Sequence, residues 1–360
     1  MTTAHDTSRI RSLTAQEILA IDENDPERLF TGDVAALKQE YQALAKIWHP
    51  DANRSSEAEK VFTRINVLHK NAVKKLEAGH WSTPGLLHLT DVGGRAYKVH
   101  YLKKHDFELG SFYISKSFVT FVIDKATSGD LAANGLNAIS GIKYKDDNLR
   151  KEFSRTMPEL VKSFDTNDSV VCVFKKDPDM ILLSDLFDYI VSTTKAPLDS
   201  KHAAWIMSRL HSLTCFLQLN GLTHNGISAR TLFVSPPMHT AALIGGWWYA
   251  AKEHTALVGL PGDALDVVSS KILDTGKATQ RIDAEMVRAV GREVLGDTSG
   301  SLLLRDDRVP KPMAHWLTNT PSDDAFADFR NWSQDVLKSS FGPRRFTELK
   351  VTFSDVYPPL

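Results

Sequence analysis

The sequence predicts an α+β protein in two parts. A short all-α hairpin comes first; a larger body follows that opens with a small antiparallel sheet and ends in helices. Three observations carry this. Apolar residues recur three and four apart on both sides of a polar turn at residues 49–53. Short runs rich in β-branched and aromatic residues fill much of residues 96–174. Helical periodicity dominates from there onward.

In order, residues 1–12 are polar and read as a disordered arm. Thr14 and Glu17 have capping-box spacing for a short helix through Ile21. After Gly32, a helix is expected over residues 33–48, with Tyr41, Leu44, Ala45 and Trp48 on one face and Lys38 and Lys46 left in water. Pro50 stops this helix and fixes the turn. Ser56 and Glu59 have the spacing to cap the next helix, which carries Phe62, Ile65, Leu68 or His69, and Ala72 on its apolar face. Two helices joined by so short a turn pack as an αα-hairpin, here spanning residues 13–78. Residues 79–95 contain Pro84 and Gly79, Gly85, Gly93 and Gly94, the composition of a linker.

The body divides into a sheet part, residues 96–175, and a helical part, residues 176–360. Strands are expected at 96–102, 107–115, 118–125, 160–164 and 170–174, a five-stranded sheet interrupted by one charged helix at 146–157. Helices are expected at 183–192, 199–220, 283–295, 312–317 and 323–339, with short strands at 231–234 and 242–244. Gly221 is the natural stop of the long helix before it.

Lys and Arg number 43 against 44 Asp and Glu, so no global charge calls for nucleic acid or an anionic membrane. No apolar run reaches membrane-spanning length, and the first residues lack a signal-peptide core. Cys172 and Cys215 lie in apolar segments and read as buried thiols in a reducing cytoplasm. No cysteine and histidine spacing suits zinc, and no cofactor or metal is expected. Neither a Walker A pattern nor a Gly-x-Ser-x-Gly elbow occurs.

The hairpin places His49-Pro50-Asp51 at the tip of a helix, followed by Asn53. With Tyr41, Leu44, Ala45 and Trp48 before the tripeptide and Phe62, Ile65 and Asn66 after it, the segment resembles the J-domain of DnaJ/Hsp40 co-chaperones. The resemblance implies a partner, an Hsp70 (DnaK-type) chaperone whose ATPase is stimulated. His49, Pro50, Asp51 and Asn53 would dock on it, and Lys38 and Lys46 would steer. Ala52 departs from the family, which often has lysine there.

The body resembles the protein-kinase-like fold, most clearly at residues 198–249. The long helix leads into Leu222-Thr223-His224, similar to the entry into the family's catalytic loop. His224 matches the loop histidine. Gly226 stands where the family has its catalytic aspartate, Thr231 where it has a metal-binding asparagine, and Gly245-Gly246 where its second metal-binding aspartate belongs. No carboxylate occurs between Gly226 and Tyr249, and phosphoryl transfer needs carboxylates to take a proton and hold Mg²⁺. Between the first two expected strands, residues 102–106 are not a glycine-rich phosphate loop. Lys125 is a candidate for the family's phosphate-pairing lysine. Trp247-Trp248-Tyr249 reads either as a buried packing cluster or as a plug where a nucleotide would sit. Asp283 is expected to bond the loop backbone, and His224 to be structural.

The expectation is a co-chaperone with a pseudokinase-like, non-enzymatic body that binds an unknown protein client through residues 96–360. The alternatives are an atypical kinase or nucleotide-binding switch, and a scaffold whose J-like hairpin is vestigial.

Overall fold

The computed structural model describes residue 10, residues 12–77, residue 81, residues 85–343 and residues 345–358. Most of the expected arm at 1–12, and residues 79, 80 and 82–84 of the expected linker, lie outside the described residues. Contacts divide the chain into two compact units. Residues 1–89 with 96–100 form the core of the first, and residues 90–95 with 101–359 the second.

In the first unit, α1 (Ala15–Leu19) opens with the expected capping box. Thr14 Oγ1 accepts from Glu17 N, and the Glu17 carboxylate accepts from Thr14 N at 2.7 Å. A 3₁₀ turn at Pro26–Arg28 and Gly32, whose φ is +79°, lead to α2 (Val34–Trp48). After the turn comes α3 (Ala58–Glu77), packed on α2. Their shared core holds Leu37 and Leu44 from α2 and Val61, Ile65, Leu68 and Ala72 from α3, closed by Ile18, Leu29 and Phe30. Burying each of the larger side chains contributes roughly 1.5–3 kcal/mol.

Two details differ from the expectation. The third helix starts at Ala58, so Ser56 lies outside it and does not take the N-cap position. Val61, not Phe62, faces the core from α3, because the buried residues run 58, 61, 65, 68 and 72. Phe62 sits one step around the helix, where it meets the turn. A two-stranded hairpin, β1 (Leu86–Thr90) and β2 (Ala96–His100), occupies what was expected to be linker and first sheet strand.

The second unit has the expected layout of a small antiparallel sheet followed by helices. Its sheet contains β3 (Lys103–Phe107), β4 (Gly110–Ile114) and β5 (Phe118–Asp124). After α4 (Lys125–Ser140) and α5 (Asp147–Phe153) come β6 (Glu159–Asp165) and β7 (Ser169–Lys175). The order is β3-β4-β5-β7-β6, antiparallel throughout. Five strands were expected, but the first is residues 103–107. Residues 96–100 pair with 86–90 instead. The polar run Lys103, Lys104, His105, Asp106 reads as a loop only in isolation, since Lys103 and His105 have a buried acidic partner, described below.

α4 was not expected. Its sequence holds Gly129, Gly135, serine and alanine in place of a bulky apolar stripe. A Cβ on Gly135 would lie 2.6 Å from Trp248 Cε3, so small residues are what let this helix approach the tryptophan cluster.

The helical part begins with α6 (Leu183–Thr194) and α7 (Ser200–Leu219). Asp199 caps α7, and Gly221 follows it at φ +63°. β8 (Leu232–Ser235) and β9 (Thr240–Leu243) form a hairpin that Ile181–Leu182 extends. Then come α8 (Gln280–Val294), α9 (Lys311–Thr318) and α10 (Ala325–Arg330). α10 runs into a π-helix, Asn331–Val336, and a last helical turn at Leu337–Phe341, where one uninterrupted helix was expected. Cys172 and Cys215 are buried free thiols, and burial pushes both up to about 12, which suppresses the reactive thiolate. Among the described residues no helix is long and apolar enough to cross a membrane.

Candidate functional site

Two places in the chain bring together the residues singled out by sequence. The first is the turn after α2. His49 N bonds Ala45 O at 2.8 Å, and His49 O accepts from Ala52 N and Asn53 N at 2.9 and 2.8 Å, so the helix ends in a tight turn with Pro50 inside it. His49 Nδ1 accepts from Asp51 N at 3.2 Å, which places the proton of the neutral ring on Nε2. The Asp51 carboxylate lies 3.6 Å from Nδ1. The side chains of His49 and Asp51 are 46% and 93% exposed, so a partner can reach both.

The surrounding residues hold this turn still. Asn53 Nδ2 donates to Ile47 O at 3.1 Å, and Asn53 Oδ1 accepts from Ser55 N at 3.0 Å. Asn53 thus clasps the end of α2 to the approach to α3. The Phe62 ring meets His49 edge-on at 5.0 Å. Tyr41 OH donates to Asn66 Oδ1 at 2.7 Å, tying the helices together, and His69 packs on the Tyr41 ring at 4.3 Å. Burial lowers the His69 pKa. Lys38 and Lys46 are exposed on α2, eight residues and roughly 12 Å of helix apart.

The second place is the cleft of the second unit, where the sheet meets the loop after α7. Asp283 is fully buried on α8. Its two carboxylate oxygens accept from His224 N and Asn225 N, both at 2.7 Å. Burial raises its pKa to about 7 against the pull of those two bonds. The expected anchoring role of Asp283 is therefore what the geometry has. His224 is also fully buried, edge-on to Trp247 at 4.9 Å, and burial lowers its pKa to about 3. Its ring makes only a weak approach to the Gly245 backbone and no well-formed hydrogen bond. The ring is a packing element and stays neutral.

Gly226 and Gly246 touch through their backbones. Thr231 Oγ1 donates to Gly226 O at 2.9 Å and accepts from Ser228 N at 2.9 Å, which folds the loop onto itself. Beside it, Trp247, Trp248 and Tyr249 form a buried 3₁₀ turn. Trp247 Nε1 donates to Leu243 O at 2.9 Å. Trp248 packs against Phe121 of β5 at 5.3 Å. From α4, Asn134 Nδ2 donates to both Trp248 O and Ala250 O, at 3.0 and 2.9 Å. The cluster is thus a buried packing anchor, the first of the two readings.

The remaining space is small. Phe107, Phe112, Phe121 and Trp248, with Glu108, Arg230 and Asp263 among the polar residues, line a cavity of about 60 Å³, well below the roughly 300 Å³ at which small-molecule pockets begin. Phe121 is the β5 side chain that faces it. Lys125 does not: it is the first residue of α4, and its Nζ bonds Asp165 at 2.6 Å in a half-exposed ion pair. Lys125 was a candidate for a phosphate-pairing lysine; here the strand ends at Asp124 and Lys125 is engaged by Asp165 instead. The turn from β3 to β4 is Glu108-Leu109, too short to wrap a phosphate, and Tyr249 OH donates to Glu108 Oε1 at 2.5 Å across the mouth. Arg230 adds a bond from its guanidinium to Asp106 O at 2.7 Å.

Sequence reasoning missed a second fastening of the cleft. Asp185, at the start of α6, is buried and accepts from Lys103 Nζ at 2.6 Å and Tyr357 OH at 2.6 Å, with His105 Nε2 at 3.0 Å. Burial opposes its ionisation, but His105 and Lys103 hold its carboxyl below the usual range. The one sequence signal was the alternation of Lys103 and His105, which puts both on one face of a strand. Among the described residues no group of three or more His, Cys, Asp or Glu could hold a metal ion.

No protein-family model matches the chain, and no curated protein matches it. Among solved structures, the chain is similar to one titled "Structure of vaccinia related kinase 3". The alignment has a TM-score of 0.44 and 18% identity, covering 71% of this chain and 78% of that one.

Proposed function

We propose that the first unit is a J-domain-type element that engages an Hsp70 (DnaK-type) chaperone and stimulates its ATPase. In the same proposal the second unit is a kinase-like body without phosphoryl-transfer activity that binds a protein client. The observation that carries the reading is the turn at residues 49–53. It exposes an imidazole and a carboxylate side by side on a tip held by Asn53, Phe62 and the core of α2 and α3.

A rigid tip loses little conformational freedom on binding, so its contacts go into partner affinity. The ATP chemistry would belong to the chaperone, and this chain would bias its conformations. Lys38 and Lys46 would speed encounter with an acidic surface, an effect that weakens with salt. For the body, the support is chemical. The cleft has glycine at 226 and 246, its acids are Glu108, bonded to Tyr249, and Asp263 at the mouth, and it has too little room for a nucleotide.

The test is single-turnover ATP hydrolysis by an Hsp70 with and without the full chain. The native chain accelerates hydrolysis and His49→Gln does not. Equal rates with the native chain and with buffer would sink the proposal.

A further inference from the structure

Residues 345–352 run without helix or strand, and Phe353–Val356 then form a single helical turn. A capping box closes that turn. Thr352 Oγ1 accepts from Asp355 N, and the Asp355 carboxylate accepts from Thr352 N at 2.7 Å. Its internal bonds therefore do not depend on the rest of the unit. Attachment comes from aromatic side chains at separate points. Phe346, itself mostly exposed, rests on the His239 ring at 4.3 Å. Phe353 and Tyr357 are four apart, so they leave one face of the turn, and both are buried.

Both buried rings land where the sheet joins the helical part. Residues 176–180 connect β7 to Ile181–Leu182. In that connector the buried Lys176 ammonium donates to Lys116 O at 2.7 Å, Met180 O at 3.0 Å and Asp177 O at 3.3 Å. Lys116 lies in the turn between β4 and β5, so the amine ties that turn to the connector. Phe353 covers it, with its ring centroid 4.4 Å from Nζ. The Tyr357 hydroxyl accepts from Leu182 N at 3.1 Å and donates to Asp185 Oδ2 at 2.6 Å.

Asp185 carries the contact into the cleft. Its Oδ2 also has His105 Nε2 at 3.0 Å, and its Oδ1 accepts from Lys103 Nζ at 2.6 Å. The His105 ring stacks on Phe112 at 4.9 Å, and Phe112 lines the cavity beside Phe121 and Trp248. Two hydrogen bonds and one ring stack thus run without a gap from Tyr357 to the wall of the cleft. Tyr357 and His105 share one carboxylate oxygen, so the tyrosine helps to set the orientation in which that carboxylate meets β3.

We propose that residues 352–357 are a detachable latch. Seated, it fixes β3 and the Phe112 wall of the cleft through Asp185; lifted, it lets both loosen. A segment held by a few side chains opens more readily than a core element. Lifting this one uncovers Lys176 and breaks the two bonds of the Tyr357 hydroxyl, and no helix or strand of the sheet or of α6 to α10 has to come apart. The inference does not depend on the hairpin's partner or on a client.

Amide hydrogen exchange of the full chain, read by mass spectrometry, tests it. Tyr357→Phe keeps the ring and its packing on Phe353 at 4.8 Å while deleting both bonds of the hydroxyl. Exchange should quicken by about tenfold or more across residues 352–357 and across 103–107, the factor for one lost hydrogen bond to a charged group. α7 and β7 should stay within about twofold of native. Phe353→Leu, which uncovers Lys176, should quicken 352–357 and 176–180 in the same way. Ser354→Ala, on the exposed side of the turn, should match the native chain throughout. Exchange at 103–107 within about twofold of native in Tyr357→Phe, whether or not 352–357 quickens, overturns the latch. An equal rise in α7 also overturns it, because the substitution then weakens the whole unit.

Discussion

A Cβ added to Gly226 would lie 2.7 Å from the Gly246 carbonyl oxygen, and one added to Gly246 would lie 2.4 Å from the Gly226 carbonyl oxygen. In the proposed reading, Gly226 and the Gly245-Gly246 pair stand where a kinase would have aspartates, and Gly226 and Gly246 meet here through their backbones. Gly246 also has φ +82°, a conformation that disfavours any residue with a side chain. Restoring the acids is therefore a structural injury before it is a chemical repair. Gly226→Asp and Gly246→Asp are each expected to destabilise by about 2–3 kcal/mol and to yield no kinase activity together. Urea unfolding and a phosphate-transfer assay check this, and a stable, active double variant would refute it.

Nucleotide binding has its own expectation. With about 60 Å³ between Phe121 and Trp248, the native protein should show no melting-temperature shift across millimolar Mg-ATP. A concentration-dependent rise in thermal-shift measurements would favour a nucleotide switch instead.

Asn53 separates the shape of the turn from its exposed groups. It is an internal clasp, bonding Ile47 O and Ser55 N, and leaves His49 and Asp51 in place. Asn53→Ala should cost about 1 kcal/mol of stability, as loss of a capping residue does. It should also reduce Hsp70 stimulation partially, where His49→Gln abolishes it. Full stimulation by Asn53→Ala would mean that the clasp does not position the turn.

The buried titratable groups set a pH profile. His211 and His224 are buried and lowered to about 3 by burial, against 6.5 in the unfolded chain. Between pH 6.5 and 3 the unfolded state binds more protons at both sites, so each removes up to about 1.4 kcal/mol per unit as pH falls. Asp283 acts in the opposite direction. Raised to about 7 from 3.8, it binds its proton in the folded state over that window and offsets roughly one histidine. Replacing His224 with Asn should flatten the acid loss of stability measured by urea titration at successive pH values, and Asp283→Asn should steepen it. The reverse order would contradict the protonation states assigned here.

Much of this fold was legible because local chemistry and tertiary context agree. The capping box at Thr14 and Glu17, the stripe in α2 and the helix from Ser200 to Leu219 with Gly221 behind it all read from spacing alone. Asp283 was legible as a loop anchor, and the bonds to His224 N and Asn225 N follow that expectation. Where the structure departs, the missing information lay in a distant partner. β3 looks polar because Asp185, eighty residues away, supplies the acid that pairs with Lys103 and His105. α4 looks weakly helical because Gly135 is shaped by Trp248.

By itself the sequence determined the two-part organisation, the His49-Pro50-Asp51 turn and the absence of acids between Gly226 and Tyr249, since each of these is a matter of residue identity and short spacing. Tertiary structure alone decided that Lys125 pairs with Asp165, that Phe121 and Trp248 pack edge to face, and that Gly226 rests on Gly246. The physical reason is packing. Which side chain occupies a cavity depends on strand register and close approach between segments remote in sequence, and neither is written in the local pattern of either segment.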